Sequence, residues 1–445
     1  MRGRLGALVE RNFRLVFAST TISALGDGVA AIALVFAVLD ISHNSATAVG
    51  VVLACRQGAA AIVTLAAGVI ADRLPRHVIL VAINSVQAVV QAMVASLLLG
   101  NLATVPLLAA LAVVYGLADG FELPASQGLI PAVVSRARLQ QANALLGLSR
   151  SILRFGAPVL GGILVAAGSP GAAILIDAVS FAVAAVLLLR VRIPAREDTV
   201  APERFLVELH RGWQEFRGQT WIWTTIVFFG IGNFASSAFL VLGPLIFKTQ
   251  YGGATNYGLL LSVFSLGTIA GGVVALRWRP SRILLVSCLA SAPIPFVYIL
   301  VAFHAPLSAI FAVQFFGGAG LAVHLALWFT VFQQEVPEHA RSRVSSYDVF
   351  GSFVLVPLGI AIAGPIAAAV GVRTTLLAVA LTMITCKVIV VSLPSVWAIR
   401  RDPSATRQSP DFERAQTDGP SPAGATAAER RPTNAIDDYT QPSPP

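Results

Sequence analysis

Twelve apolar runs, each long enough to cross a bilayer, leave this chain few folds to adopt. They cover residues 13–39, 46–71, 77–99, 104–123, 139–167, 172–192, 221–247, 256–276, 282–303, 306–333, 343–370 and 372–397. An α-helix of about 20 apolar residues spans a membrane. In lipid every backbone N–H and C=O needs a partner within the structure, which leaves helices or closed barrels. No segment alternates as a lipid-facing barrel strand must, so the runs are read as helices. Composition agrees: 56% of the 445 residues are hydrophobic and 12% are charged, about half the charged share of a soluble domain. The chain is expected to be an all-α polytopic membrane protein with twelve transmembrane helices.

The two halves echo each other. Gly68-Val-Ile-Ala-Asp72-Arg73-Leu-Pro-Arg76 joins spans two and three, and Gly272-Val-Val-Ala-Leu276-Arg277-Trp-Arg-Pro-Ser-Arg282 joins spans eight and nine, 204 residues later. Gly26-Asp27 in span one finds Gly232-Asn233 in span seven, at an offset of 206. Repeats of this length predict two six-helix pseudo-repeated bundles, the build that alternating access requires. The expected layout is an N-terminal bundle over 1–193, a linker over 194–219, a C-terminal bundle over 220–400 and a tail over 401–445. In the linker Phe205, Leu206, Leu209, Trp213 and Phe216 share one helical face, which predicts an amphipathic helix on the inner leaflet. The tail is rich in Pro, Ser, Ala and Thr with mixed charge, a composition that predicts disorder.

The formal charge of +9 does not indicate nucleic-acid binding, because the basic residues sit in short loops between apolar runs and not among aromatics on one face. With the N-terminus in the cytoplasm, 25 of the 31 Lys and Arg residues fall on the inner side. Only Lys248 and Arg373 fall outside, and the positive-inside rule then fixes both termini in the cytoplasm. The basic N-terminus runs into a full-length span without an A-x-A site, so no removed signal peptide is expected. Arginine nearly excludes lysine, and with abundant Ala, Gly and Val this suggests a GC-rich bacterial genome. Cys55, Cys288 and Cys386 lie inside apolar runs without metal-ligand or disulfide spacing and are read as packing residues. No metal or cofactor is expected. The chain has no phosphate-cradling loop, no His-Glu-x-x-His and no G-x-S-x-G, so it is not read as an enzyme and any uphill transport draws on an ion gradient.

Ionisable groups inside spans are costly and default to functional candidates. Asp27, Arg56 and Arg154 each lie 15 or 16 residues from the inner end of their helices, which at 1.5 Å per residue is about one depth. Arg150 is one turn from Arg154. The N-terminal half is therefore expected to hold one carboxylate among three guanidiniums. Asp27 is the only acid placed near mid-span. Three readings fit: Asp27 carries a coupling proton, the surplus arginines hold an anionic substrate group, or an Asp27–arginine pair only fixes helix packing. Asp119 and Glu122 lie near the inner end of span four, and Asp177 near the outer end of span six with a packing or capping role. His324 is read as a proton or ligand site or, more simply, as a histidine bonded to a backbone carbonyl. Lys387 in span twelve is expected to snorkel. In span five Gly156, Gly161 and Gly162 permit close helix approach, and Pro158 removes a backbone donor.

These residues resemble the major facilitator superfamily. The carriers are Gly68-x-x-x-Asp72-Arg73-x-x-Arg76 (Pro75 stands where that family has glycine), Asp119-Gly-Phe-Glu-Leu-Pro124, Leu139-Gln-Gln-Ala-Asn143 and Gly156-Ala-Pro158-Val-Leu-Gly161-Gly162. Together they are similar to the branch of bacterial macrolide and enterobactin exporters, over roughly residues 10–400. The resemblance implies the major facilitator fold, a bacterial plasma membrane location and action as a monomer. It implies a gate in which Asp72 meets the start of span eleven near Ser342 and Asp119 partners Arg73, with Gly68 and Arg76 shaping the turn. It implies an antiporter-like role for Gly156, Pro158, Gly161 and Gly162, although Ala157 replaces a favoured glycine. It also places His324 and Trp328 at the cavity. The expected function is proton-coupled export of a small amphiphilic compound, of drug, antibiotic or siderophore type. Import on the same fold and a non-transporting membrane sensor are the rivals.

Overall fold

A computed structural model of the chain describes residues 6–71, 75–192, 220–336 and 338–400. Asp72, Arg73, the amphipathic linker and the tail lie outside the described residues, and with them the expected Asp72 gate and the Asp119–Arg73 partnership. Everything described up to Arg400 belongs to one compact unit.

The described chain is helical throughout. Span one is Arg11–Ile41, two is Ala46–Ala71, three is Arg76–Leu99, five is Leu139–Ala166, six is Pro170–Leu189, eight is Ala254–Arg277, ten is Leu307–Glu335 and twelve is Val372–Ser392. The other four spans are broken in two. Span four is Val105–Asp119 and Glu122–Val133, seven is Thr220–Ser236 and Ala238–Gln250, nine is Ile283–Ala290 and Ile294–Ala302, and eleven is Glu338–Phe353 and Val356–Val370. Proline explains two of the breaks. Pro293 and Pro295 in span nine, and Pro357 in span eleven, lack the N–H that would donate one turn back. Eleven spans have helices long and apolar enough to cross a membrane, and the first helix of span four is a shorter apolar one. Apolarity alone ends span four near residue 123; it continues instead to Val133 after a turn at Gly120 and Phe121. The twelvefold count stands, with span four kinked.

Packing divides the helices into two sets. Spans three and six and spans one and six pack within the first half, and spans eight and ten and spans nine and twelve within the second. Spans five with eight, and two with eleven, join the halves. At the end far from the N-terminus one apolar core is common to both halves, with Val38, Leu39 and Val49 beside Ile246, Phe247 and Ile360. Toward the N-terminal end each half has its own core: Phe13, Ile83, Leu129 and Leu146 in one, Ile222, Leu284, Val331 and Val396 in the other. Among the described residues, shared apolar burial thus joins the halves at that end. Lys248 and Asp40 add an ion pair there between spans seven and one.

The N-terminal turn is latched. Glu10 accepts from Ser135 Oγ at 2.7 Å, from the Ser135 amide at 3.0 Å and from Arg138 Nη1 at 3.1 Å. The Ala7 amide donates to Gln141 Oε1 at 3.0 Å. The Ser135 hydroxyl, foremost, holds the Glu10 carboxyl below its ordinary value of 4.5. A carboxyl lowered by folding contributes above its ordinary value and loses that contribution as pH falls through the folded one. Acidification below the ordinary carboxylate range is therefore expected to free the turn, seen as faster hydrogen exchange at Ala7. Glu10→Gln should give the same exchange rate at neutral pH.

Candidate substrate and proton-coupling site

Glycine brings spans two and four together. A Cβ on Gly116 would sit 2.1 Å from the Arg56 carbonyl oxygen, so only glycine lets the two backbones meet. The approach delivers Arg56 and Tyr115 to Asp27 of span one. Arg56 Nη2 lies 3.2 Å from Asp27 Oδ1, Tyr115 Oη donates to the same oxygen at 2.7 Å, and the guanidinium stacks 4.0 Å over the Tyr115 ring. The ring in turn meets Phe181 edge-on. The cluster retains solvent contact: the Asp27 side chain is 32% exposed and that of Arg56 19%.

One position earlier the helix turns to a different partner. A Cβ on Gly26 would fall 2.1 Å from Ser180 Oγ and 2.4 Å from Asp177 Oδ1. Asp177 is fully buried. Its Oδ2 accepts from Gln91 Nε2 and its Oδ1 from Ser180 Oγ at 3.2 Å. Asp27, the only acid that helical position places near mid-span, thus has a second acid, Asp177, inside the bundle beside it. Helical position alone puts Asp177 near a water-accessible end, and the packing of span six against spans one and three puts it in the interior.

Arg150 and Arg154 do not join the carboxylate. Both are exposed, and among the described residues neither makes an ion pair. Counting along the helices places Arg56 and Arg154 at one depth with Asp27, but span five leaves Arg150 and Arg154 exposed and away from it. Arg150 shares a small cavity with Glu122, lined by spans one, three, four, five and six. The expected trio of guanidiniums is thus a single one, Arg56.

The span-five motif lies where the halves meet. A Cβ on Gly161 would be 2.8 Å from the Val29 carbonyl oxygen, and one on Gly162 would be 2.6 Å from that of Ala254 in span eight. Gly156 faces open space, whereas Ala157 packs its methyl against Gly28. Pro158 leaves the Arg154 carbonyl without its helical donor, and Ser265 Oγ of span eight supplies one at 2.9 Å. Ser262 Oγ donates to the neighbouring Phe155 carbonyl at 2.6 Å. Proline in one half and serine in the other are complementary. Ser262→Ala and Ser265→Ala are each expected to lower stability by about 1 kcal/mol, measured as detergent unfolding of the purified protein.

The second half holds a half-open cavity of about 300 Å³. Spans seven to ten and twelve line it with Phe228, Phe229, Phe264 and Tyr298, and with the polar Asn233, Gln314, His324 and Lys387. His324 Nδ1 is 2.9 Å from Ser287 Oγ and 3.0 Å from the Ser287 carbonyl, and its ring stacks on Phe229. Trp328 is not in the cavity. Its Nε1 donates to Asp348 Oδ2 at 2.9 Å and its ring meets Trp221 edge-on in the apolar core behind. Lys387 does not snorkel: its ammonium donates to Ser291 Oγ at the break in span nine. Cys288 and Cys386, read from sequence as packing residues, also line the cavity. Sequence reasoning misses Asp348, Ser291 and Tyr115. Their only signal there is a polar residue within an apolar run, too common to single them out.

The family described as transmembrane secretion effector, MFS_3, matches residues 3–421 of the chain. The multidrug efflux pump Tap of Mycolicibacterium fortuitum is 25% identical over 397 residues, covering 85% of this chain and 95% of that protein. The enterobactin exporter EntS of Salmonella typhi is 28% identical over 375 residues, covering 80% and 87%. The chain spans only 60% of the uncharacterized MFS-type transporter YvqJ of Bacillus subtilis, at 26% identity. The crystal structure of the nucleoside transporter NupG superposes with a TM-score of 0.67 at 13% identity, over 85% of this chain and 98% of that one. That likeness bears on the fold alone.

Proposed function

Because the chain belongs to the MFS_3 family of transmembrane secretion effectors, and so is a multi-pass membrane transporter and not an enzyme, we propose that it exports a small amphiphilic compound in exchange for protons. The observation that carries the coupling is the contrast between two neighbouring carboxylates. Asp177 is fully buried and hydrogen-bonded on both oxygens, the state of a structural acid. Asp27 is part-exposed, held by one arginine and one phenol, so a proton can reach it and compete with Arg56 for the same oxygen. Protonation then releases Arg56 and loosens span one from spans two and four.

The cavity of the second half holds the cargo, and the sealed end is the outer one, as the arginine-rich loops require. Efflux follows from the kinship to Tap and EntS and from the span-five motif at the seam. The protein works as a monomer in a bacterial plasma membrane, with both termini in the cytoplasm. For the orientation, a cysteine at the exposed Ser281 should label with an impermeant reagent only from the cytoplasmic side, and one at the exposed Leu102 only from outside. For the function, everted vesicles energised to an acid lumen should release protons when a transported small amphiphile is added. Unchanged lumenal pH across a panel of dyes, drugs and siderophores would refute proton-coupled export.

A further inference from the structure

We propose that the cavity of the second half takes an acidic aromatic amphiphile, its anionic group meeting Lys387 and its ring lying among Phe228, Phe229, Phe264 and Tyr298. This deepens the transport reading and rests on it only in treating the ligand as cargo.

Three observations converge. The first is charge. Among the described residues no carboxylate comes within 4.0 Å of Lys387. Its one side-chain partner is the neutral Ser291. An ammonium has three donors, so the contact with Ser291 leaves two for a further acceptor. A cation inside a membrane bundle is costly and is ordinarily compensated by a counter-charge. Among the described residues the protein provides none here, although in the first half it provides Asp27 for Arg56. Asp348, an acid of span eleven, is engaged by Trp328 and by Ser352 at 3.3 Å.

The second is backbone. Ser291 sits where span nine interrupts its helix, ahead of Pro293 and Pro295. Irregular backbone at membrane depth is tolerated where it lines a cavity, and such breaks are where membrane transporters place ligands. At the break, Ser291 Oγ accepts from the Lys387 ammonium at the cavity wall.

The third is shape and lining. A volume of about 300 Å³ is at the lower end of small-molecule sites, which are largely apolar with a few convergent polar groups. Five aromatic rings, Phe239 among them, and one ammonium fit a flat ring carrying one acid. A lipophilic cation would be repelled by the same ammonium. Asn233 and Gln314 on the wall offer neutral hydrogen bonds to the rest of the ligand.

The test is equilibrium binding to the full chain in neutral-lipid nanodiscs, with no pH gradient. The probes are dansylglycine, an aromatic carboxylate, and its uncharged methyl amide. Wild type is expected to bind the acid about tenfold or more tightly than the amide, the factor that a charge-assisted hydrogen bond supplies. Lys387→Gln should erase that preference and Lys387→Arg should keep it. Equal binding of the two probes by wild type, or an undiminished preference in Lys387→Gln, would overturn the proposal.

Wild type alone also decides, should Lys387→Gln fail to fold. Cys288 and Cys386 line the cavity, and Cys55 lies in the first half. The acid should slow N-ethylmaleimide labelling of Cys288 and Cys386 more than the amide does, and leave Cys55 unaffected. Equal or absent protection would count against the site. Binding does not depend on coupling, so a loss of proton exchange with the preference intact would sink only the transport mechanism. Efflux with no preference for the acid would sink only this ligand class.

Discussion

Asp27→Asn is expected to abolish efflux driven by a pH gradient while leaving the protein folded and able to bind or exchange its cargo downhill. The substitution keeps the size of the side chain and an acceptor for Tyr115 Oη, which lies 2.7 Å from Oδ1. It removes the charge that holds Arg56 at 3.2 Å and the group that would carry the proton. Loss of the proton carrier removes the drive itself, so accumulation against a gradient should fall to the level seen with an uncoupler. Efflux in loaded cells or vesicles, compared with and without an uncoupler, measures it. Arg56→Ala removes the ion pair at 3.2 Å and is expected to weaken gradient-driven efflux. Substitution of Arg154, which depth alone places beside Asp27, is expected to leave that efflux unchanged. Undiminished uphill transport by Asp27→Asn, with the same proton dependence, would make Asp27 structural.

Gly162→Val and Gly364→Val are expected to cripple transport for a different reason. At the sealed end these glycines let backbone meet backbone across the two halves. A Cβ on Gly162 would lie 2.6 Å from the Ala254 carbonyl oxygen, and one on Gly364 would lie 2.4 Å from the Thr47 Cα. Both neighbours are backbone and cannot swing aside. Valine at either site must part spans five and eight, or eleven and two, so the sealed arrangement loses stability relative to its alternative. Small residues at such seams are what permits close helix approach in a membrane. Transport should fall by about tenfold or more if the shift exceeds about 1.4 kcal/mol. A cysteine at Ala46, beside Gly364, should label faster with an impermeant thiol reagent in the Gly364→Val background. Normal transport and unchanged labelling would show that the seam yields without cost.

Much of this protein is written locally. Twelve apolar runs, the basic loops and the echo between Gly68 and Gly272 specify a helical membrane protein of two bundles, because crossing a bilayer imposes length and apolarity on each segment separately. Asp27 and Arg56 stand out as candidates for a similarly local reason: a charge in an apolar run is visible wherever it points. Helix breaks at Pro293 and Pro357 follow from a missing N–H.

What lies between helices was decided only by packing. Depth along a helix can be counted, but azimuth cannot, since it depends on which neighbours a span finds. Arg56 and Arg154 are alike by depth, and only spans two and four meeting at Gly116 select Arg56 for Asp27. Asp177 is buried and Asp27 part-exposed because one packs among spans one, three and six and the other meets Arg56 and Tyr115. Trp328 turns to Asp348 while Lys387 turns to Ser291, and each of these pairings joins side chains on different spans. The sequence by itself determined that these polar groups lie in the membrane, because hydrophobicity is a sum over neighbours in the chain. The tertiary structure alone decided which of them meet, because contact is a property of neighbours in space.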